Sequence, residues 1–293
     1  MNFTDGLENA LLERDAPIVT DYEFFVLGQQ LFAKKEWKGE PLKRLPLEWD
    51  RTRARNAINR LGARRTIAPD VDFRSGVWRV VQSTRAGSAE EIACIADPFC
   101  YVSHLSAMQR YGLTDRSPEA LHLTTPIRSI WNGLRDRKLQ ADLGEQLPTE
   151  HPALVRLGFK GVVRRRPVIV HESSHPAQPI PVAGERTQIA SIGRTFVDML
   201  AEPALCGGIH HVLDIWNHEA EQWAPQIIQA VDCFEAKIVK VRAGYILTEV
   251  LEIEDDRINA WQQYAQRGGS RKLNPDAPYG PTYSERWMIS LNV

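Results

Sequence analysis

The chain has 293 residues, 43% hydrophobic and 25% charged, with a net charge of −1. This composition excludes a wholly disordered chain and leaves material for a sizeable core, and at about 150 residues per domain it suggests two domains. It also excludes a polycation, so any affinity for nucleic acid has to come from a local patch. Four cysteines without a C-x-x-C pair exclude a disulfide-stapled secreted scaffold. No run of about 18 apolar residues suggests a membrane helix. The segment Met1 to Glu8 is acidic and lacks the basic-then-apolar order of a signal peptide. The expectation is a soluble protein of the reducing cytoplasm.

Charge is unevenly placed. Residues 1–33 carry six acids and one base, a net of −5. Residues 34–85 carry fourteen bases and six acids, a net of +8, and the rest of the chain sums to −4. A block of that size reads either as a solvated basic face or as an anion-binding surface.

In chain order, a first helix is expected from Asp5 to Arg14, carrying Leu7, Leu11 and Leu12. Thr20 followed by Glu23 is a capping-box signature, in which each side chain satisfies the other's backbone amide. The helix it opens should run to Lys35, burying Phe24, Phe25, Leu27, Leu31 and Phe32 on one face. Gly39, Pro41 and Pro46 mark residues 36–47 as a turn region. Asp50 is the expected N-cap of the next helix, which should end at Leu61-Gly62 with the glycine as C-cap. At about 100° per residue, Ala54, Ala57, Ile58 and Leu61 fall on one face. Thr52, Arg55, Asn56, Asn59 and Arg60 fall on the other, flanked by Arg51 and Arg53. Arg and Asn are the side chains that read guanine and adenine through paired hydrogen bonds in the major groove, and Arg also holds phosphates. Ala63 to Ala68 and Val77 to Val81 read as two strands joined by a loop around Arg74.

Helix, turn, basic helix and two strands predict a winged helix-turn-helix over residues 1–85. The expected DNA contacts are Arg51, Thr52, Arg53, Arg55, Asn56, Asn59, Arg60, Arg64, Arg65 and Arg74. No aromatic platform of the RNA-stacking type accompanies them.

Ser83 to Glu91 reads as a linker, followed by a mixed α/β domain over 90–293. Strands are expected at Phe99 to Val102, Ala120 to Thr124, Gly161 to His171 and Trp287 to Leu291. Helices are expected from Ser103 to Gly112, Ser129 to Leu143, Ser191 to Ala201, Gly208 to Trp223, Pro225 to Glu252 with a break near Gly244, and Arg257 to Gln266. The fold class is therefore α+β, a winged helix-turn-helix followed by a larger mixed domain. Lys160, Arg164, Arg165 and Arg166 form a basic strand, either an aggregation-resistant edge or a secondary DNA contact.

Signatures of catalysis are weak. There is no Gly-rich phosphate loop, and Gly207-Gly208 suits a turn. Cys206, His210 and His218 could align on a helix, but closed tetrahedral ligation is not evident. Glu235 to Lys237 and Pro69-Asp70 mimic scattered pieces of a nuclease motif. Arg194 and Asp198 suit an ion pair within one helix, and Ser103-His104 lacks a nucleophile elbow. No catalytic residue, metal or cofactor is expected.

The stretch Ile95 to Thr114, with Asp97-Pro98, Tyr101-Val102-Ser103 and Tyr111-Gly112-Leu113, resembles the opening of the second domain in AbiEi-family proteins. Arg194-Thr195-Phe196-Val197-Asp198, followed by Pro203 and Gly207-Gly208, resembles that family's R-T-x-x-D segment and its Gly-Gly. The order winged helix, linker, then these segments also matches, over residues 20–260. The resemblance implies a transcriptional repressor that binds inverted repeats in its own promoter. It implies the antitoxin of a type IV toxin–antitoxin, phage-defence system. The functional partner would be a nucleotidyltransferase-like toxin, countered without a stable complex. The alternative is a ligand-sensing regulator with a small-molecule pocket in the larger domain.

Overall fold

The structure, a computed structural model, describes residues 1–144, 150–266 and 271–293. The chain is mixed α/β. It begins with helix α1 (Phe3–Glu13), strand β1 (Ile18–Thr20), helix α2 (Asp21–Lys34), strands β2 (Glu36–Trp37) and β3 (Glu40–Pro41), and helix α3 (Arg51–Ala63). Strands β4 (Ile67–Pro69) and β5 (Val77–Val80), helix α4 (Ala89–Ala96), strand β6 (Tyr101–Val102), helix α5 (His104–Arg110), strand β7 (Leu121–Pro126) and helix α6 (Arg128–Leu143) follow. Next come strands β8 (Val162–Val163), β9 (Arg166–Ser173), β10 (Ile180–Pro181) and β11 (Gln188–Ile189). Helices α7 (Ile192–Ala201), α8 (Ile209–Glu219), α9 (Ala224–Cys233), α10 (Lys237–Tyr245) and α11 (Asp256–Ala260) precede a short hairpin of β12 (Tyr283–Ser284) and β13 (Ile289–Ser290). Among the described residues no helix is long and apolar enough to cross a membrane.

Contacts divide the chain into two compact units. One is Met1–Tyr101, Thr125–Ser174 and Pro181–Gln188; the other is Val102–Thr124, His175–Ile180 and Ile189–Val293. The first unit thus extends past the boundary expected at 85–90. Long-range bonds join its segments: Arg166 pairs with Glu90 at 3.0 Å, Arg186 with Glu23 at 2.7 Å, and the loop after β4 is bound to residues 158–164.

In the first unit, β1, β5 and β4 form an antiparallel sheet in that order, with Val19 opposite Trp78 and Ile67 opposite Val80. One face supplies Val19, Ile67 and Val80 to a core shared with Leu7, Leu11, Phe24, Phe25, Ile58 and Leu61 from α1, α2 and α3. The amphipathic periodicity of these helices requires such a partner layer, because an isolated apolar stripe has to be covered. The capping box forms: Glu23 N donates to Thr20 Oγ1 at 3.0 Å, and Thr20 N to Glu23 Oε2 at 3.4 Å. The turn region 36–47 contains the β2–β3 hairpin, with Lys38 and Gly39 at positive φ in its turn.

The second unit packs α7 to α11 around Phe196, Trp216, Trp261 and Trp287. Its strand β11 pairs parallel to β6 at Ile189 and Val102. The helix expected over 225–252 breaks at 234–236, and one residue after Gly244 the α-helical bonding of α10 gives way to a π-helical turn over Ile246–Val250. Gly244 lies near the end of α10, where a Cβ would sit 2.2 Å from Cη2 of Trp287. Its smallness admits the indole, and the backbone stays helical.

Two further expectations are corrected. Helix α3 runs through Gly62 to Ala63, and the left-handed position is taken by Arg65 at φ 59°. Thr66 N then donates to Leu61 O at 3.0 Å, closing the helix end in the Schellman manner. The basic segment 162–170 is a hairpin, not one strand. Val163 pairs with Arg166 across a turn at Arg164 and Arg165, whose φ values are 48° and 65°.

Candidate nucleic-acid interface

Helix α3 is built from its N-terminus. Asp50 accepts a hydrogen bond from Arg53 N at 2.7 Å, satisfying one of the orphan amides of the first turn. Just before it, Trp49 is buried and its Nε1 donates to Phe25 O at 2.9 Å. Ala54, Ala57, Ile58 and Leu61 are buried, as the wheel requires. Arg51, Thr52, Arg55, Asn56, Asn59 and Arg60 are all exposed. The structure therefore brings together six of the ten expected contact residues on one open helix face that contains no acid.

The remaining four are placed differently. Arg53 pairs with Glu48 at 2.8 Å and also with Asp50. Arg64 reaches Glu8 at 2.6 Å and Asp5 at 2.9 Å on α1, and these contacts, Glu8 first, raise its pKa above the ordinary arginine value. Thr66 hydrogen-bonds to Glu8 as well, so the α3 C-terminus is strapped to α1. Arg65 and Arg74 are exposed. Among the described residues, no ion pair engages Arg51, Arg55, Arg60, Arg65 or Arg74. Exposed pairs such as Arg64–Asp5 are worth only about 0–1 kcal/mol, so their effect is chiefly on local charge.

The acids of residues 1–33 are turned to internal partners. Asp5 and Glu8 bind Arg64, Glu13 pairs with Lys38, and Glu23 takes Arg14 and Arg186. Asp21 accepts from Trp78 Nε1 at 2.6 Å. They do not compete for the open face of α3. Arg79, exposed on β5 and without an ion pair among the described residues, was missed by sequence reasoning. The strand pattern does not signal it, because Val77, two residues earlier and on the same face, is buried.

The basic segment 160–166 divides. The Arg164 guanidinium is held by Asp70 at 2.6 Å and by Asp72; Arg166 pairs with Glu90 at 3.0 Å. Burial lowers the Arg164 pKa, and the two carboxylates more than offset it. Lys160 Nζ donates to Val71 O at 3.0 Å, while Arg165 is exposed. Arg164 and Arg166 are thus engaged in ion pairs within the first unit, whereas no ion pair among the described residues engages Arg165.

Residues weighed for other chemistry are dispersed. Cys206 is buried while His210 and His218 are exposed, and among the described residues no group of three His, Cys, Asp or Glu side chains could hold a metal ion. Arg194 and Asp198 form an ion pair within α7 at 2.6 Å. Ser103 is fully buried beneath His104 and Thr124.

No protein-family model and no curated protein matches this chain. Among solved structures it is similar to the crystal structure of RV2827C protein from Mycobacterium tuberculosis, at 12% identity and a TM-score of 0.47, over 98% of this chain and 90% of that one.

Proposed function

We propose that the protein is a sequence-specific DNA-binding transcriptional repressor that reads duplex DNA with the exposed face of α3. The observation that carries this reading is that Arg51, Thr52, Arg55, Asn56, Asn59 and Arg60 share one exposed, acid-free helix face. Such a face presents bidentate donors to base edges and cations to phosphates. The order α1, β1, α2, the β2–β3 hairpin, α3, β4, β5, with a basic helix before an antiparallel pair, suits a winged helix-turn-helix. In that arrangement α3 enters the major groove and Arg74 meets the backbone beside it. The target is the protein's own promoter, as inverted repeats, and the chain acts as antitoxin against a nucleotidyltransferase-like toxin; this part rests on the AbiEi resemblance.

The test is titration against the upstream duplex and a scrambled duplex at two salt concentrations. Tighter binding to the upstream duplex, with a log–log salt slope of about −0.9 per phosphate contact, supports a promoter-reading repressor. Equal binding to both duplexes leaves a nonspecific binder, and no binding to either sinks the reading. Rescue of cells expressing the neighbouring toxin then tests the antitoxin role.

A second reading, a ligand-sensing regulator, draws on a cleft of about 590 Å³ in the second unit, lined by His175, Arg194, Gln226, Gln229, Cys233 and Phe234. Thermal shifts with a metabolite panel test it.

A further inference from the structure

The loop joining β4 to β5 is a poor phosphate ligand by itself. Residues 70–76 contain Asp70, Asp72 and only one base, Arg74. Residues 158–166 of the same unit contain four bases and no acid. The structure clasps these two segments together. Arg74 N donates to Gly158 O at 3.1 Å, and Lys160 N to Asp72 O at 2.9 Å. Phe73 meets Phe159 edge-on, with ring centroids 6.3 Å apart.

Arg164 completes the clasp. Its backbone N donates to Asp72 Oδ2 at 2.9 Å, and its guanidinium spans Asp70 Oδ1 at 3.2 Å, Asp70 Oδ2 at 2.6 Å and Asp72 Oδ2. The Asp70 side chain is 1% exposed, so its carboxylate is withdrawn from the surface. Two-residue hairpin turns with both residues at positive φ strongly favour Asn and Gly. Arginines at 164 and 165 need the surrounding bonds to hold that conformation. The turn sends its two arginines to different fates. Arg164 is bound inward, whereas Arg165 is exposed and has no ion pair among the described residues.

We propose that the β8–β9 turn is a second phosphate-contacting element of the DNA interface, in which Arg165 and Lys160 join Arg74 while Arg164 is the positioning residue. The proposal rests on the DNA-binding reading above. Its physical content is a change of sign: the loop of net −1 becomes part of a cationic composite surface once the clasp is closed. The partner is the sugar–phosphate backbone of duplex DNA, so the contribution is independent of base sequence.

The experiment uses the full chain, the upstream and scrambled duplexes, and fluorescence anisotropy at several salt concentrations, with hydrogen exchange on the free protein. Arg165→Ala is expected to raise Kd for both duplexes alike, by on the order of three- to tenfold, and to reduce the salt slope by about 1. Amide protection over residues 70–76 stays as in the parent. Arg164→Gln is expected to accelerate exchange over 70–76 as well as to weaken binding. Arg164→Lys, which retains charge without the fork, falls between. If Arg165→Ala leaves Kd and slope unchanged while Arg55→Ala weakens binding in the same assay, this proposal is overturned and the reading of α3 stands. If the parent protein binds neither duplex, both fall together.

Discussion

The indole of Trp49 lies where a side chain on Gly28 would begin: a Cβ there would sit 2.2 Å from Cζ2 of Trp49. The same ring donates from Nε1 to Phe25 O and meets Phe3 edge-on, with centroids 5.3 Å apart. Asp50, the N-cap of α3, is the next residue. One aromatic side chain thus fixes the start of α3 against α2, and with it the direction in which the open face points.

Gly28→Ala should destabilise the first unit by about 1–3 kcal/mol, because the added methyl must displace a fully packed ring. Trp49→Ala should cost more, about 3–5 kcal/mol, by leaving a cavity. Urea denaturation followed by tryptophan fluorescence and far-UV circular dichroism measures both. A Gly28→Ala variant with an unchanged midpoint would show that the ring is not tightly held.

Arg55→Ala and Asn56→Ala should each weaken binding to the upstream duplex by about 1–3 kcal/mol and leave binding to a scrambled duplex nearly unchanged. Arg74→Ala should weaken binding to both duplexes alike. Competition titrations separate the two patterns, and an unchanged upstream preference in both Arg55→Ala and Asn56→Ala contradicts the placement of the reading helix.

Asp97 is buried and accepts from Trp131 Nε1 at 3.0 Å and Phe99 N at 3.1 Å. Burial raises its pKa above the ordinary carboxylate value, and these hydrogen bonds oppose the rise without cancelling it. The fold therefore holds this proton more tightly than the unfolded chain does. The associated stability is present below the unfolded pKa and is lost as pH rises through the folded one. Asp97→Asn should remove that fall from a plot of unfolding free energy against pH. Superimposable pH profiles for the two proteins would refute the assignment.

His211 shares a hydrogen bond with Thr114 Oγ1 at 2.9 Å. Burial, and then the charge of Arg116, lower its pKa, with Asp214 opposing. Folding here favours the neutral ring, so its contribution is present above the unfolded value and is lost as pH falls through the folded one. A proton NMR titration of the imidazole should give a midpoint below the ordinary histidine value of 6.5. A midpoint at or above that value would rule this out.

Much of α3 was legible in the sequence, because a helix imposes a local period on burial: Ala54, Ala57, Ile58 and Leu61 could be separated from Arg55, Asn56 and Asn59 by spacing alone. The Thr20–Glu23 box was legible for the same reason, since its two halves are three residues apart. The hairpin at 162–166 was not, because its turn lacks the Gly or Asn that usually marks positive φ.

By itself, then, the sequence determined where charge collects and which side of each helix is apolar. It could not say which arginines of the +8 block and the basic hairpin meet a carboxylate. Arg64 finds Asp5 at a separation of 59 residues, and Arg164 finds Asp70 at 94. Ion pairing depends on distance in space, and periodicity carries no information about where a distant acid returns to the surface. Only the tertiary path of the chain decided that Arg164 is bound inward and that its neighbour Arg165 is left facing water.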